Sequence, residues 1–121
     1  HDLKFMEDGK QQVPIEQYTE NLGRLVAMLK ETGAKLIWAS TTPVPTGKLK
    51  PPRKNDDVIA YNAVAKKVMG ENGVPIDDLY AFAQPRLETI QRPANVHFTG
   101  DGSKALAEQV AKAILGAIQH P

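Results

Sequence analysis

The chain has 121 residues, 41% hydrophobic and 24% charged, with a net charge of +1, the size and make-up of one modest globular domain. The near-neutral charge argues against a dedicated nucleic-acid binder, and no apolar run approaches the roughly 20 residues that span a bilayer. The absence of cysteine excludes disulfides, thiolate zinc sites and cysteine nucleophiles.

The sequence starts at His1 with no signal-like segment after it, so it reads as a processed product or a fragment. Apolar spacing predicts a first helix from Pro14 to Thr32, with Ile15, Tyr18, Leu22, Leu25, Val26 and Leu29 on one stripe and Gly33 as its stop. Lys35 to Ser40 is a short apolar run that fits a buried parallel strand, with Trp38 in the core. Thr41 to Lys54 holds four prolines and a glycine and reads as a loop.

Asn55 is an expected N-cap, with Asp56 and Asp57 in the first turn. The helix behind it runs to about Glu71, with Val58, Tyr61, Val64, Ala65 and Val68 on one face, and Gly73 ends it. Val74 to Asp77 is a second short strand, and Asp78 caps a short helix through Leu87. Thr99 or Ser103 caps the last helix, whose expected buried stripe is Leu106, Val110, Ala113, Ile114 and Ala117. The alternation implies an α/β fold with right-handed crossovers. A doubly wound sheet usually has about five strands. Only two are visible, so about half of the domain is expected on the N-terminal side.

In open α/β sheets, ligands bind beyond the carboxyl ends of the strands. His1-Asp2, the loop from Thr41, Asp77-Asp78 and the His97 loop are expected at that edge. His97, flanked by Asn95 and Thr99, is placed to take a proton from a nucleophile, or it is a plain surface-loop histidine. Asn95 equally suits a turn, Asp78 a helix cap, and Asp77 a solvated strand end. Lys48, Lys50, Arg53 and Lys54 read as a solvated loop, or as an attractor for an acidic sugar or polymer. Ser40 lacks the glycine elbow of a nucleophile. His1 could chelate copper through its amine, but with His120 terminal there is no spaced ligand set, so no metal and no cofactor is expected. No glycine-rich phosphate loop follows a strand, which discounts nucleotide binding.

Four stretches resemble the SGNH hydrolases, the GDSL-like esterase superfamily. His97-Phe-Thr-Gly-Asp-Gly with the following Leu-Ala helix is similar to the block that carries that family's catalytic histidine. Ile37-Trp-Ala-Ser-Thr-Thr-Pro-Val-Pro resembles a segment of its bacterial carbohydrate-esterase branches, and Tyr61-Asn-Ala-Val-Ala the helix after it. His1-Asp2 looks like the end of the Gly-x-Asn-Asp block, with His1 in place of asparagine.

The resemblance implies a flavodoxin-like three-layer α/β/α fold with a parallel sheet. Residues 1–121 would form the C-terminal portion of one partial domain. It also implies hydrolysis of carboxylic esters, of carbohydrate or acyl type, by a serine not contained in this chain. His97 would be the general base and His1 an oxyanion-hole donor, with Asp2 closing that block. The partners implied are a small-molecule or carbohydrate ester and a companion polypeptide completing the domain, with a periplasmic or secreted location. Where the family usually has aspartate before the histidine, this chain has Asn95. Another carboxylate (Asp77 or Asp78), a Ser-His dyad or weak activity would each accommodate that. The alternative is a non-catalytic α/β binding module, or an inactive truncated hydrolase.

Overall fold

A computed structural model describes residues 1–119 of the chain; His120 lies outside them. The elements run α1 (Ile15–Glu31), β1 (Trp38–Ala39), α2 (Asn55–Glu71), β2 (Ile76–Asp77), α3 (Leu79–Ala83), a 3₁₀ turn (Gln84–Arg86), α4 (Leu87–Ile90) and α5 (Gly100–Gln119). β1 and β2 pair in parallel, Trp38 opposite Ile76 and Ala39 opposite Asp77, so the fold is α/β with a parallel sheet.

Three layers follow from strand alternation, because successive side chains point to opposite faces. Trp38 and Ile76 pack against a core of Tyr18, Leu22 and Val26 from α1 with Val58, Tyr61, Ala65, Val68 and Met69 from α2. Asp77, next along β2, faces the other way, where its Oδ1 accepts a hydrogen bond from Gln109 of α5 at 2.9 Å. The two-stranded sheet therefore lies between an α1/α2 layer and α5.

The strands are shorter than the apolar runs that predict them. Pro75 has no N–H to give the ladder, and the N–H of Val74 bonds instead to Met69 O at 2.9 Å, closing the end of α2. That turn is made by Gly73, at φ +65°. Trp38 N to Pro75 O and Ser40 N to Asp77 O, at 2.9 and 3.0 Å, join the strands at their two ends.

Four other expectations need correction. Lys54, not Asn55, is the N-cap of α2; the Asn55 amide is spent on the loop, accepting from Val44 N at 3.2 Å and donating to Tyr80 Oη at 2.8 Å. Leu25 and Leu29 of α1 are exposed, since α2 covers only the Tyr18-Leu22-Val26 side. The helix after Asp78 breaks at Pro85 into α3, the 3₁₀ turn and α4. The α5 stripe is not buried: Leu106, Val110, Ala113 and Ala117 are half-buried and Ile114 is exposed, with only Gly102 fully covered.

The proline-rich loop is part of the core. Pro43, Val44 and Leu49 are buried. Asn62 clamps its start, accepting from Thr41 N at 2.9 Å and donating to Thr41 O at 2.8 Å. Its far end holds the N-terminal segment through Phe5 N to Pro52 O at 2.9 Å. Among the described residues no helix is long and apolar enough to cross a membrane.

Candidate active site

The His97 loop is a closed structure hung between α4 and α5. Gln91 and Phe98 form an antiparallel bridge, with Arg92 N donating to His97 O at 3.0 Å. Both the N–H and the hydroxyl of Thr99 donate to Ile90 O, at 2.9 and 3.2 Å. The same hydroxyl accepts from Gly102 N at 3.0 Å, so Thr99, rather than Ser103, caps α5. Gly102 is obligatory: a Cβ there would stand 2.1 Å from Ile90 O. Buried Gln91 ties the loop inward, its Nε2 donating to Pro43 O at 3.0 Å and Val96 O at 3.4 Å.

Asn95 fixes the imidazole. Its Oδ1 accepts the backbone N–H of His97 at 2.8 Å and lies 2.7 Å from His97 Nδ1. An amide N–H can only donate, so the atom it meets must be oxygen rather than nitrogen. That oxygen can only accept, so Nδ1 carries the proton. Nε2 is left with its lone pair free, on an exposed ring. A neutral histidine in this tautomer is competent to take a proton at Nε2.

His97 and Asn95 share a 240 Å³ cavity with His1, Lys50, Arg53 and Leu49. The fold thus brings together three of the four residues singled out in the sequence: His97, Asn95 and His1. Asp2 is not on that wall. Its backbone O accepts from Val13 N at 3.1 Å, and its carboxylate acts on the buried Tyr18-Tyr61 pair, whose ring centroids are 4.9 Å apart. Burial pushes the Tyr18 phenol up to about 12, with Asp2 and then Tyr61 adding to it. Burial raises Tyr61 too, followed by Asp57, Glu16 and Asp2.

The two strand-end carboxylates are committed elsewhere. Asp77 is buried, not solvated, and is held by Gln109 of α5. Asp78 caps α3 through Ala81 N at 3.0 Å and accepts from Ser40 Oγ at 2.9 Å. Ser40 Oγ in turn accepts from Tyr80 N at 2.9 Å, so this hydroxyl is a structural strut. Trp38 is half-buried; one side meets the core and the other lines a 170 Å³ depression with Ser40, Asn62 and Tyr80. A larger open groove of 810 Å³ runs between the proline loop and α4, but it lacks His97. Chemistry, not size, therefore points to the smaller cavity.

Sequence reasoning missed Gln91, which nothing periodic marks. Lys50 and Arg53 were read as solvated loop or as an attractor for an acidic group, and of the four loop cations it is these two that line the cavity. No group of three or more His, Asp or Glu among the described residues could hold a metal ion.

The profile of the GDSL-like Lipase/Acylhydrolase family matches residues 6–105. No curated protein matches the chain. Among solved structures, the lipase/acylhydrolase from Enterococcus faecalis is similar in fold, with a TM-score of 0.78 at 20% identity. The match covers 95% of this chain and 56% of that one, so the chain spans little more than half of that enzyme's length.

Proposed function

Because the chain belongs to the GDSL-like lipase/acylhydrolase family, we propose that it serves the hydrolysis of carboxylic esters with His97 as general base. The observation that carries this is the 2.7 Å contact between His97 Nδ1 and Asn95 Oδ1, which leaves Nε2 free on the wall it shares with His1.

In this reading Nε2 removes the hydroxyl proton of a serine as its oxygen attacks the ester carbonyl. The proton then passes from Nε2 to the departing alcohol oxygen as the carbon–oxygen bond breaks. Water repeats the cycle on the acyl-serine. His1, which lines the same cavity, is the donor in this reading, its ring N–H stabilising the tetrahedral oxyanion. Asp2 serves only by anchoring the backbone beside His1, through Val13 N. The serine lies on a Gly-Asp-Ser segment outside these 121 residues, either on the same chain upstream or on a companion polypeptide that completes the domain. The ester is a small carbohydrate or acyl ester, in keeping with the likeness of the loop from Ile37 to bacterial carbohydrate esterases.

Asn95 also favours a second reading, a non-catalytic α/β module. A neutral amide orients the imidazole but gives no charge to the imidazolium, and an Asp-to-Asn change in a Ser-His-Asp triad costs about 10⁴-fold in rate. The experiment is intact-mass analysis of the native preparation together with hydrolysis of p-nitrophenyl acetate. The hydrolase reading expects the serine-bearing half, as extra mass on this chain or as a partner, and turnover that a serine-directed fluorophosphonate abolishes. That half present without fluorophosphonate-sensitive turnover would leave the module reading.

A further inference from the structure

We infer that the cavity beside His97 is an anion subsite, so that the ester it serves carries a negatively charged group a few bonds from the scissile carbonyl. The inference rests on the reading of His97 as base and adds the chemical class of the substrate.

Three cationic or protonatable side chains, His1, Lys50 and Arg53, line the same 240 Å³ as His97 and Asn95, and no carboxylate does. The chain as a whole is nearly neutral, at +1, so this is a local concentration of positive charge. Within the described residues it is also unpaired. Among the described residues the ion pair is Lys67 with Glu71, at 4.0 Å on the exposed side of α2, and none involves Lys50 or Arg53.

Arg53 is built into the wall. It is half-buried, and its Nη1 donates to Pro51 O at 3.2 Å. That bond leaves the guanidinium's other N–H groups for a ligand. A planar guanidinium with two parallel donors matches an oxyanion in bidentate fashion. The neighbouring loop cations are directed elsewhere: Lys54 Nζ stands 5.0 Å from the centre of the Phe5 ring, and Lys48 is exposed outside the cavity.

The volume suits a short substrate. Small-molecule sites usually enclose roughly 300–1,000 Å³, and 240 Å³ is room for a compact acidic acyl or sugar group. Leu49, Pro51 and Val96 supply an apolar remainder. They lower the local dielectric and strengthen the attraction.

Succinate, a dianion, and succinamide, its neutral counterpart, are the probes, added to the native protein while the His97 imidazole resonances are followed by NMR. Succinate is expected to shift them and succinamide to leave them in place. Arg53→Gln and Lys50→Gln should each weaken succinate about tenfold or more, whereas Lys48→Gln, which removes the same charge outside the cavity, should not. Equal response to both probes, or Arg53→Gln and Lys50→Gln binding as tightly as Lys48→Gln, would overturn the inference.

Kinetics separate it from the reading beneath it. A kcat/KM for p-nitrophenyl hemisuccinate above that for p-nitrophenyl acetate, with the ratio falling about tenfold in Arg53→Gln, supports the subsite. His97-dependent turnover with no such preference overturns the subsite and keeps the base. Succinate binding without any His97-dependent turnover keeps the subsite and removes the base.

Discussion

A neutral amide beside His97 orients the ring without stabilising its charged form, and the two effects can be measured apart. Asn95→Asp keeps the acceptor 2.7 Å from Nδ1 and adds a negative charge. It should raise kcat by at least about tenfold, within the roughly 10⁴-fold span of such a charge, with KM little changed. A kcat that does not rise, in steady-state kinetics of the variant, would show that the imidazolium finds its counter-charge elsewhere. Tyr18 gives a second test. Its phenol is pushed up to about 12 from 10.0 chiefly by burial. The folded state therefore holds a proton that the unfolded state releases first. Stability from this group is complete below pH 10 and is lost as pH rises towards 12. Thermal midpoints should fall steeply across that interval, and Tyr18→Phe should flatten the fall. The contact of Asn95 with His97 was legible because both groups lie within three residues of one loop. Asp77 was not, since a strand-end aspartate looks solvated until Gln109, thirty-two positions later, is seen to cover it.

The elements α4 and α5 meet at Gly102, and the His97 loop hangs from that meeting. A Cβ at residue 102 would enter the backbone of Ile90, at 2.1 Å from its oxygen. Because Ile90 O also accepts both donors of Thr99, any shift there is passed to the loop. Gly102→Ala should cost about 1–3 kcal/mol, the usual range for overpacking, and lower turnover as well. Calorimetry and kinetics on the same variant check both, and a Tm equal to that of the parent would refute the close packing. Helix spacing made α1 and α2 readable almost to the residue, since their starts and stops are local signals, and left the start of α5 between Thr99 and Ser103. What each helix covers is not local. Leu25 and Leu29 repeat at the same period as Leu22, yet α2 reaches only one side of α1. The prolines of residues 41–54 announced a loop, but not that Pro43 and Val44 would be buried beneath Gln91.

At the scale of the whole molecule, a two-stranded sheet leaves helices with little to cover. Leu25, Met28 and Leu29 on α1 are exposed, as are Ile114, Leu115 and Ile118 on α5. Such apolar surface favours contact with other protein. The 121-residue chain on its own should self-associate with rising concentration, seen as an increasing sedimentation coefficient, and Leu115→Lys should diminish it. A monomer at every concentration would contradict this. The parallel α/β arrangement was legible from the alternation of helix and strand. The extent of strand pairing was not, because it depended on the N–H groups that Pro75 lacks and α2 takes. The role of His97 as base is decided by one ratio: kcat/KM for p-nitrophenyl acetate in the native protein against its His97→Ala variant, with both shown to be folded. The variant should fall by several orders of magnitude. Equal values in the two proteins would remove His97 from the chemistry.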